Sequence, residues 1–209
     1  MPEYHGLEEL RREHAERAER IRRRLDEFAA VPAEEYYYEL AYCLLTPQSS
    51  AVHAGTAVER LKRAERDGTP VDLAALLRHG GGYIRFHNTK ARRLQEARLA
   101  FPAIAERLAD RGDPEEVRRW LVRNVKGLGL KEASHFLRNI GCRELAILDR
   151  HILRNLKRHN VLRAIPRTLT PRRYLAVERS FRRFATAAGI PMDELDLLFW
   201  SRETGEILK

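Results

Sequence analysis

The chain's 209 residues are enough for one large or two small domains, each with a core of its own. A hydrophobic content of 44% excludes a disordered tail, and a net charge of +9 points to a polyanionic partner. The two cysteines, Cys43 and Cys142, exclude a disulfide framework and a cysteine-ligated metal cluster, and suit a reducing cytoplasm.

Nearly every periodic segment predicts a helix. Leu7, Leu10, His14, Ile21, Leu25 and Phe28 recur at three- and four-residue steps and form one apolar stripe. Glu34 to Thr46 is apolar almost all round, the pattern of a central helix, and Pro47 ends it. A third helix spans Ala51 to Arg66 and closes at Asp67-Gly68; a short one follows from Asp72 to Arg78. Gly80-Gly81-Gly82 breaks the chain, and Thr89 to Ala109 is helical with an interruption expected at Pro102. Asp113-Pro114-Glu115-Glu116 supplies a cap, a first-position proline and acids for a helix through Val125. Thr170-Pro171 opens another through Ala188. Pro191 starts a last one through Trp200, with Gly205 as its terminator. No strand alternation and no internal repeat are present, so the fold class is all-α. The opening MPEYHGLEELRREH lacks the apolar core of a secretion signal, and no stretch reaches about 18 apolar residues; a cytoplasmic protein off the membrane is expected.

Charge is unevenly placed. Between Arg118 and Arg167 stand thirteen Arg and Lys against Glu132, Glu144 and Asp149, a local excess that accounts for all of the chain's net charge. Solvated arginine-rich faces would explain the composition but not its confinement to one window; a nucleic acid partner explains both. Inside the window, Lys126-Gly127-Leu128-Gly129 joins two helices. Two glycines around one apolar residue make a tight hairpin, which by itself reads equally as a plain turn between helices and as a helix-hairpin-helix pattern, in which the free amides opening the second helix form a phosphate site; the basic context favours the second. Lys131 follows in the first turn, where the helix dipole disfavours a cation and eases loss of its proton. That suits a nucleophilic amine, and equally a lysine that contacts phosphate. Asp149 ends the apolar run Ala146-Ile147-Leu148 at the start of a new helix. It is an N-cap by position, and a capping carboxylate is also rigidly aimed.

Gly127-Leu-Gly-Leu-Lys131-Glu-Ala-Ser-His-Phe-Leu-Arg-Asn-Ile-Gly141, followed by Ile147-Leu-Asp149-Arg-His-Ile, resembles the type-2 8-oxoguanine DNA glycosylase/lyases, known best from archaea. Leu44-Leu-Thr-Pro-Gln-Ser-Ser50, Arg85-Phe-His-Asn-Thr-Lys90 and the ending Trp200-Ser-Arg-Glu-Thr-Gly-Glu-Ile-Leu-Lys209 extend the resemblance over most of the chain. It implies two helical domains with a DNA-binding cleft between them: a six-helix barrel over 31–140 ending in the hairpin, and a second domain of 1–30 with 141–209. It implies Lys131 as the Schiff-base nucleophile and Asp149 as the essential carboxylate, in base excision followed by β-elimination without cofactor or metal. Trp200 and the terminal Lys209 become base-recognition residues. Gln48, Phe86, His87, Asn88, Lys126, Gly127, Gly129 and Arg150 become DNA contacts, while His135 and His151 read as packing or phosphate-contacting residues. The implied partner is double-stranded DNA containing oxidised guanine, bound by a monomer at the nucleoid. A non-catalytic hairpin module, a water-using glycosylase and a glycosylase for another damaged base stand as alternatives; the water-using type would be expected to lack a lysine at position 131.

Overall fold

The computed structural model describes residues 3–79, 82–110 and 112–207. Among them there is no β-strand. The helices are α1 Leu7–Ala29, α2 Tyr36–Leu45 after a 3-10 turn at Ala33–Glu35, α3 Ala51–Arg66, α4 Leu73–Arg78 and α5 His87–Ala109. They continue with α6 Pro114–Asn124, α7 Leu130–Asn139, α8 Arg150–Arg158, α9 Pro171–Ala188 and α10 Met192–Thr204. The chain divides into two compact units, one of Met1–Val31 with Leu137–Lys209 and one of Pro32–Phe136.

Helix starts follow the side-chain caps. Ser50, Asp72, Asp113, Asp149 and Thr170 each accept hydrogen bonds from amides of the first turn. Three expectations need correction. Helix α5 runs unbroken through Pro102, because that residue lies on the solvent side, where water can serve the carbonyl left without its partner. The same helix begins at His87, so His87 and Asn88 lie in its first turn, outside the preceding loop. Helix α10 continues one turn past Trp200 to Thr204, and Gly205 closes it in the left-handed conformation.

In the Pro32–Phe136 unit, α2 is the core helix. Residues from Tyr36 to Leu45 are buried on every side except at Tyr38, and α3 and α5 pack against it. In the other unit, α10 holds that place among α1, α8 and α9, with Leu195, Leu198 and Phe199 fully buried. Asp193, Glu194 and Asp196 on this helix are buried as well, each beside a polar group. The Glu194 carboxylate lies 2.6 Å from His14 Nε2, Asp193 accepts from the amide of Glu144, and Asp196 lies 3.6 Å from Arg138. Gly141 fits where nothing larger does: its φ is +89°, and a Cβ there would stand 2.7 Å from the Ala29 backbone.

Candidate active site and nucleic-acid interface

The hairpin occupies five residues between α6 and α7. Val125 leaves the helix in an extended conformation, its amide still bonded to Leu121 O at 2.8 Å. Buried Val125 and Leu128 pin the turn from below, and Leu128 N returns to Val125 O. Gly127 has φ +98°, and a Cβ there would come within 2.7 Å of Arg93 Cδ and 3.2 Å of Leu44 Cδ2. Gly129 differs from the sequence expectation in that its φ is not positive. It opens α7, accepting from Ala133 N, and a Cβ would meet the Glu132 carboxylate at 3.1 Å. Lys126 is exposed and lies 3.3 Å from Glu96.

Lys131 sits in the first turn of α7, one-third exposed, with Nζ 3.1 Å from Glu132 Oε1. The sequence reading missed this pair. Adjacent helical residues do not normally face each other, so the spacing carried no signal. The acid in the first turn also offsets the field that the dipole sets against the lysine. Arg118 and Arg138, two of the thirteen basic residues in the charged window, are buried and cannot face phosphate. Arg118 ties α6 to α7 through Ser134 Oγ at 3.0 Å, and His135 packs edge-on against Tyr42 of α2.

Asp149 is held from two sides. The segment Leu145 to Leu148 is buried without being helical, so its backbone groups need side-chain partners. Helix α9 supplies them: Glu178 accepts from Ala146 N at 2.8 Å, and Tyr174 donates to Ala146 O at 2.5 Å. At the end of this braced segment, Asp149 Oδ1 accepts from the amides of His151 and Ile152, both at 2.8 Å, as the N-cap of α8. Oδ2 accepts from Trp200 Nε1 at 2.9 Å. Three N–H donors thus fix the carboxylate in direction as well as position. Trp200 is half-buried and meets the His151 ring edge-on; exposed Arg150 reaches His151 Nε2 at 3.1 Å.

Gln48 and Phe86 are both exposed and both left-handed, with φ of 56° and 61°, a conformation that costs such residues on the order of 1–3 kcal/mol. Strain of this kind persists where the surroundings over-determine it and is concentrated at functional sites. Phe86 caps α5 with Arg85 over its ring, and His87 meets Tyr83 edge-on. Asn88 is exposed. Lys209 lies outside the described residues. Among the described residues, no three of His, Cys, Asp and Glu gather into a metal-binding group, and no helix is long and apolar enough to cross a membrane.

A helical chain in which a glycine hairpin joins two helices in this way belongs to the helix-hairpin-helix class. The family model for 8-oxoguanine DNA glycosylase matches residues 21–190, and the chain belongs to that family. The 8-oxoguanine DNA glycosylase/AP lyase of Fusobacterium nucleatum is 38% identical over 96% of both chains. That of Korarchaeum cryptofilum is 40% identical over 90% of both. The crystal structure of the 8-oxoguanine DNA glycosylase of Thermotoga maritima is similar with a TM-score of 0.83 at 36% identity, covering 97% of this chain and 98% of its own. The Methanocaldococcus jannaschii glycosylase/lyase, solved in complex with a 15mer DNA containing 8-oxoguanine, gives 0.81 at 34% identity, over 96% and 99%.

Proposed function

We propose that the chain is a bifunctional 8-oxoguanine DNA glycosylase/AP lyase that acts as a monomer on double-stranded DNA at the nucleoid, with Lys131 as nucleophile and Asp149 as the essential carboxylate. Residues 31–140 are read as the barrel domain ending in the hairpin, and 1–30 with 141–209 as the second domain. The observation that carries the assignment of roles is the pairing of family membership with two fixed groups: an amine in the first turn after the hairpin, and a carboxylate aimed by three N–H donors.

The damaged nucleotide leaves the stack, at a cost of a few kcal/mol, roughly, that pocket contacts offset. The Lys131 ammonium first loses a proton, and the Glu132 carboxylate at 3.1 Å is an acceptor already in place. Nζ attacks C1′ as the C1′–N9 bond breaks, and the base departs with that electron pair and a proton. Opening of the sugar gives a Schiff base. Loss of a C2′ proton then sends electrons through C2′–C3′ to expel the 3′ phosphate, and water releases the lysine. Asp149 assists deprotonation and stabilises the positive charge that grows on the sugar. Trp200 and Lys209 recognise the base; Gln48, Phe86, His87, Asn88, Lys126, Gly127, Gly129 and Arg150 hold the DNA.

Borohydride reduction of a reaction with a duplex containing 8-oxoguanine tests this. A covalent protein–DNA adduct is expected, and Lys131→Gln abolishes both the adduct and strand cleavage while still binding DNA. Undiminished trapping by that variant removes Lys131 from the mechanism.

A further inference from the structure

Lys90 stands in the first turn of α5, where a cation gains nothing from its own helix, and it is only 2% exposed. A buried ammonium is tolerated only where its N–H groups are all used. Here its three donors meet three acceptors: Leu45 O at 2.6 Å, Pro47 O at 2.7 Å and Ser49 Oγ at 3.1 Å. The first lies at the carboxyl end of α2, where carbonyls lack helical partners and a cation is favoured. The other two lie immediately before and after Gln48.

The same residue reaches the second strained position. Lys90 N donates to Phe86 O at 3.0 Å, and Ser49 Oγ, besides taking Lys90, accepts from Arg85 N at 3.0 Å. Ser49 N closes on Thr46 O, so Thr46-Pro47-Gln48-Ser49 is a turn with proline second and a positive φ third, the place usually given to glycine. Two left-handed, exposed side chains on separate loops are therefore linked: the ammonium holds the Gln48 turn and the Ser49 hydroxyl, that hydroxyl holds the amide next to Phe86, and the main-chain amide of Lys90 holds Phe86 O.

We infer that Lys90 and Ser49 are positioning residues that lock Gln48 and Phe86 into one rigid, protruding unit, so that the unit enters DNA already shaped for removing a base from the stack. The inference rests on the reading of Gln48 and Phe86 as DNA contacts. Burial, and then the neighbouring Arg93, lower the Lys90 pKa to about 8, so the ammonium form prevails at neutral pH.

Ser49→Ala deletes one oxygen from a half-buried side chain and removes two links at once; Ser49→Thr keeps the hydroxyl. Single-turnover excision is measured on an 8-oxoguanine duplex, and strand cleavage on the same duplex with a pre-formed abasic site, which has no stacked base to remove. Ser49→Ala is expected to slow excision by about 10-fold, within what misplacement of reacting groups costs. Abasic-site cleavage falls several-fold less, and Ser49→Thr restores excision. Added to Gln48→Ala/Phe86→Ala, Ser49→Ala causes no further loss, because the unit it positions is already gone. Lys90→Met, checked for folding by its melting curve, follows the same pattern. Equal losses on both substrates, or a loss that adds fully to Gln48→Ala/Phe86→Ala, overturn the inference. If Gln48→Ala/Phe86→Ala is impaired while folded Ser49→Ala and Lys90→Met excise like the parent, the inference alone fails. If Gln48→Ala/Phe86→Ala itself excises like the parent, the DNA-contact reading fails and the inference with it.

Discussion

Replacing Asp149 by asparagine separates its three hydrogen bonds into two kinds. The cap survives, because an asparagine oxygen accepts from the His151 and Ile152 amides about as well as a carboxylate does. In that orientation the amide nitrogen takes the place of Oδ2 and faces Trp200 Nε1–H at 2.9 Å, donor against donor. Turning the amide over would relieve the indole but lose both cap bonds, so the first orientation is favoured. The loss of one hydrogen bond to a charged acceptor is about 1.5–3 kcal/mol, reduced by the water that reaches this half-buried site. For a chain of this length that lowers the melting temperature by roughly 2–4 °C per kcal/mol. On the proposed mechanism excision falls further than stability: the charge that would face the developing cation is gone, and a drop of ~10²-fold or more is expected. Single-turnover excision, with every strand cut chemically at abasic sites before counting, separates base removal from lyase activity. A folded Asp149→Asn variant that excises within a few-fold of the parent would show that Asp149 is only a cap. An unchanged melting temperature would refute the energetic part of the argument.

Gly127→Ala places a Cβ 2.7 Å from Arg93 Cδ at φ +98°, so a stability loss on the order of 1–3 kcal/mol and several-fold weaker binding to undamaged duplex are expected; an unshifted melting curve would count against the hairpin geometry. Burial pushes the Asp196 pKa up to about 7; Arg138 opposes the shift, while Asp149 and Asp193 add to it. The folded state then holds a proton that the unfolded chain releases, so this group's contribution to stability is present below about pH 4 and is lost as pH rises to about 7. Asp196→Asn does not titrate, and its stability relative to the parent rises across that window by at most about 1.4 kcal/mol per pH unit. Melting temperatures of both proteins at pH 4.5, 6 and 7.5 check this, and a difference that stays constant with pH refutes it. If Lys209 recognises the base, as proposed, deleting it is expected to lower 8-oxoguanine excision much more than cleavage at a pre-formed abasic site, because an acceptor for N7–H distinguishes the lesion by ~1–3 kcal/mol; equal losses on both substrates would show that the tail does not read the base.

Local chemistry made much of the fold legible in the sequence. Asp113, Asp149 and Thr170 mark helix starts because each needs only its own next few amides. The apolar stripe of α1 and the all-round burial of α2 follow from periodicity alone. The hairpin with Lys131, and Asp149 after its apolar run, stood out for the same reason: their distinguishing features lie within a few residues of themselves. Pro102 was misjudged because its effect depends on which side of α5 meets water, and the ends of that helix are fixed by what packs on them.

What the sequence could not show was bonding between distant positions, which has no period. Trp200 reaches Asp149 from 51 residues away, and Glu178 and Tyr174 satisfy a backbone segment that would otherwise be buried without partners. The charged window looked uniformly basic, yet Arg118 and Arg138 turn inward, since an arginine's burial depends on the partner that waits for it, here Ser134 and Asp196. Lys90 would read as one more exposed helical cation. Only the folded chain brings the end of α2 and the Gln48 turn to its ammonium, and a buried charge is stable only where tertiary structure supplies all of its acceptors at once.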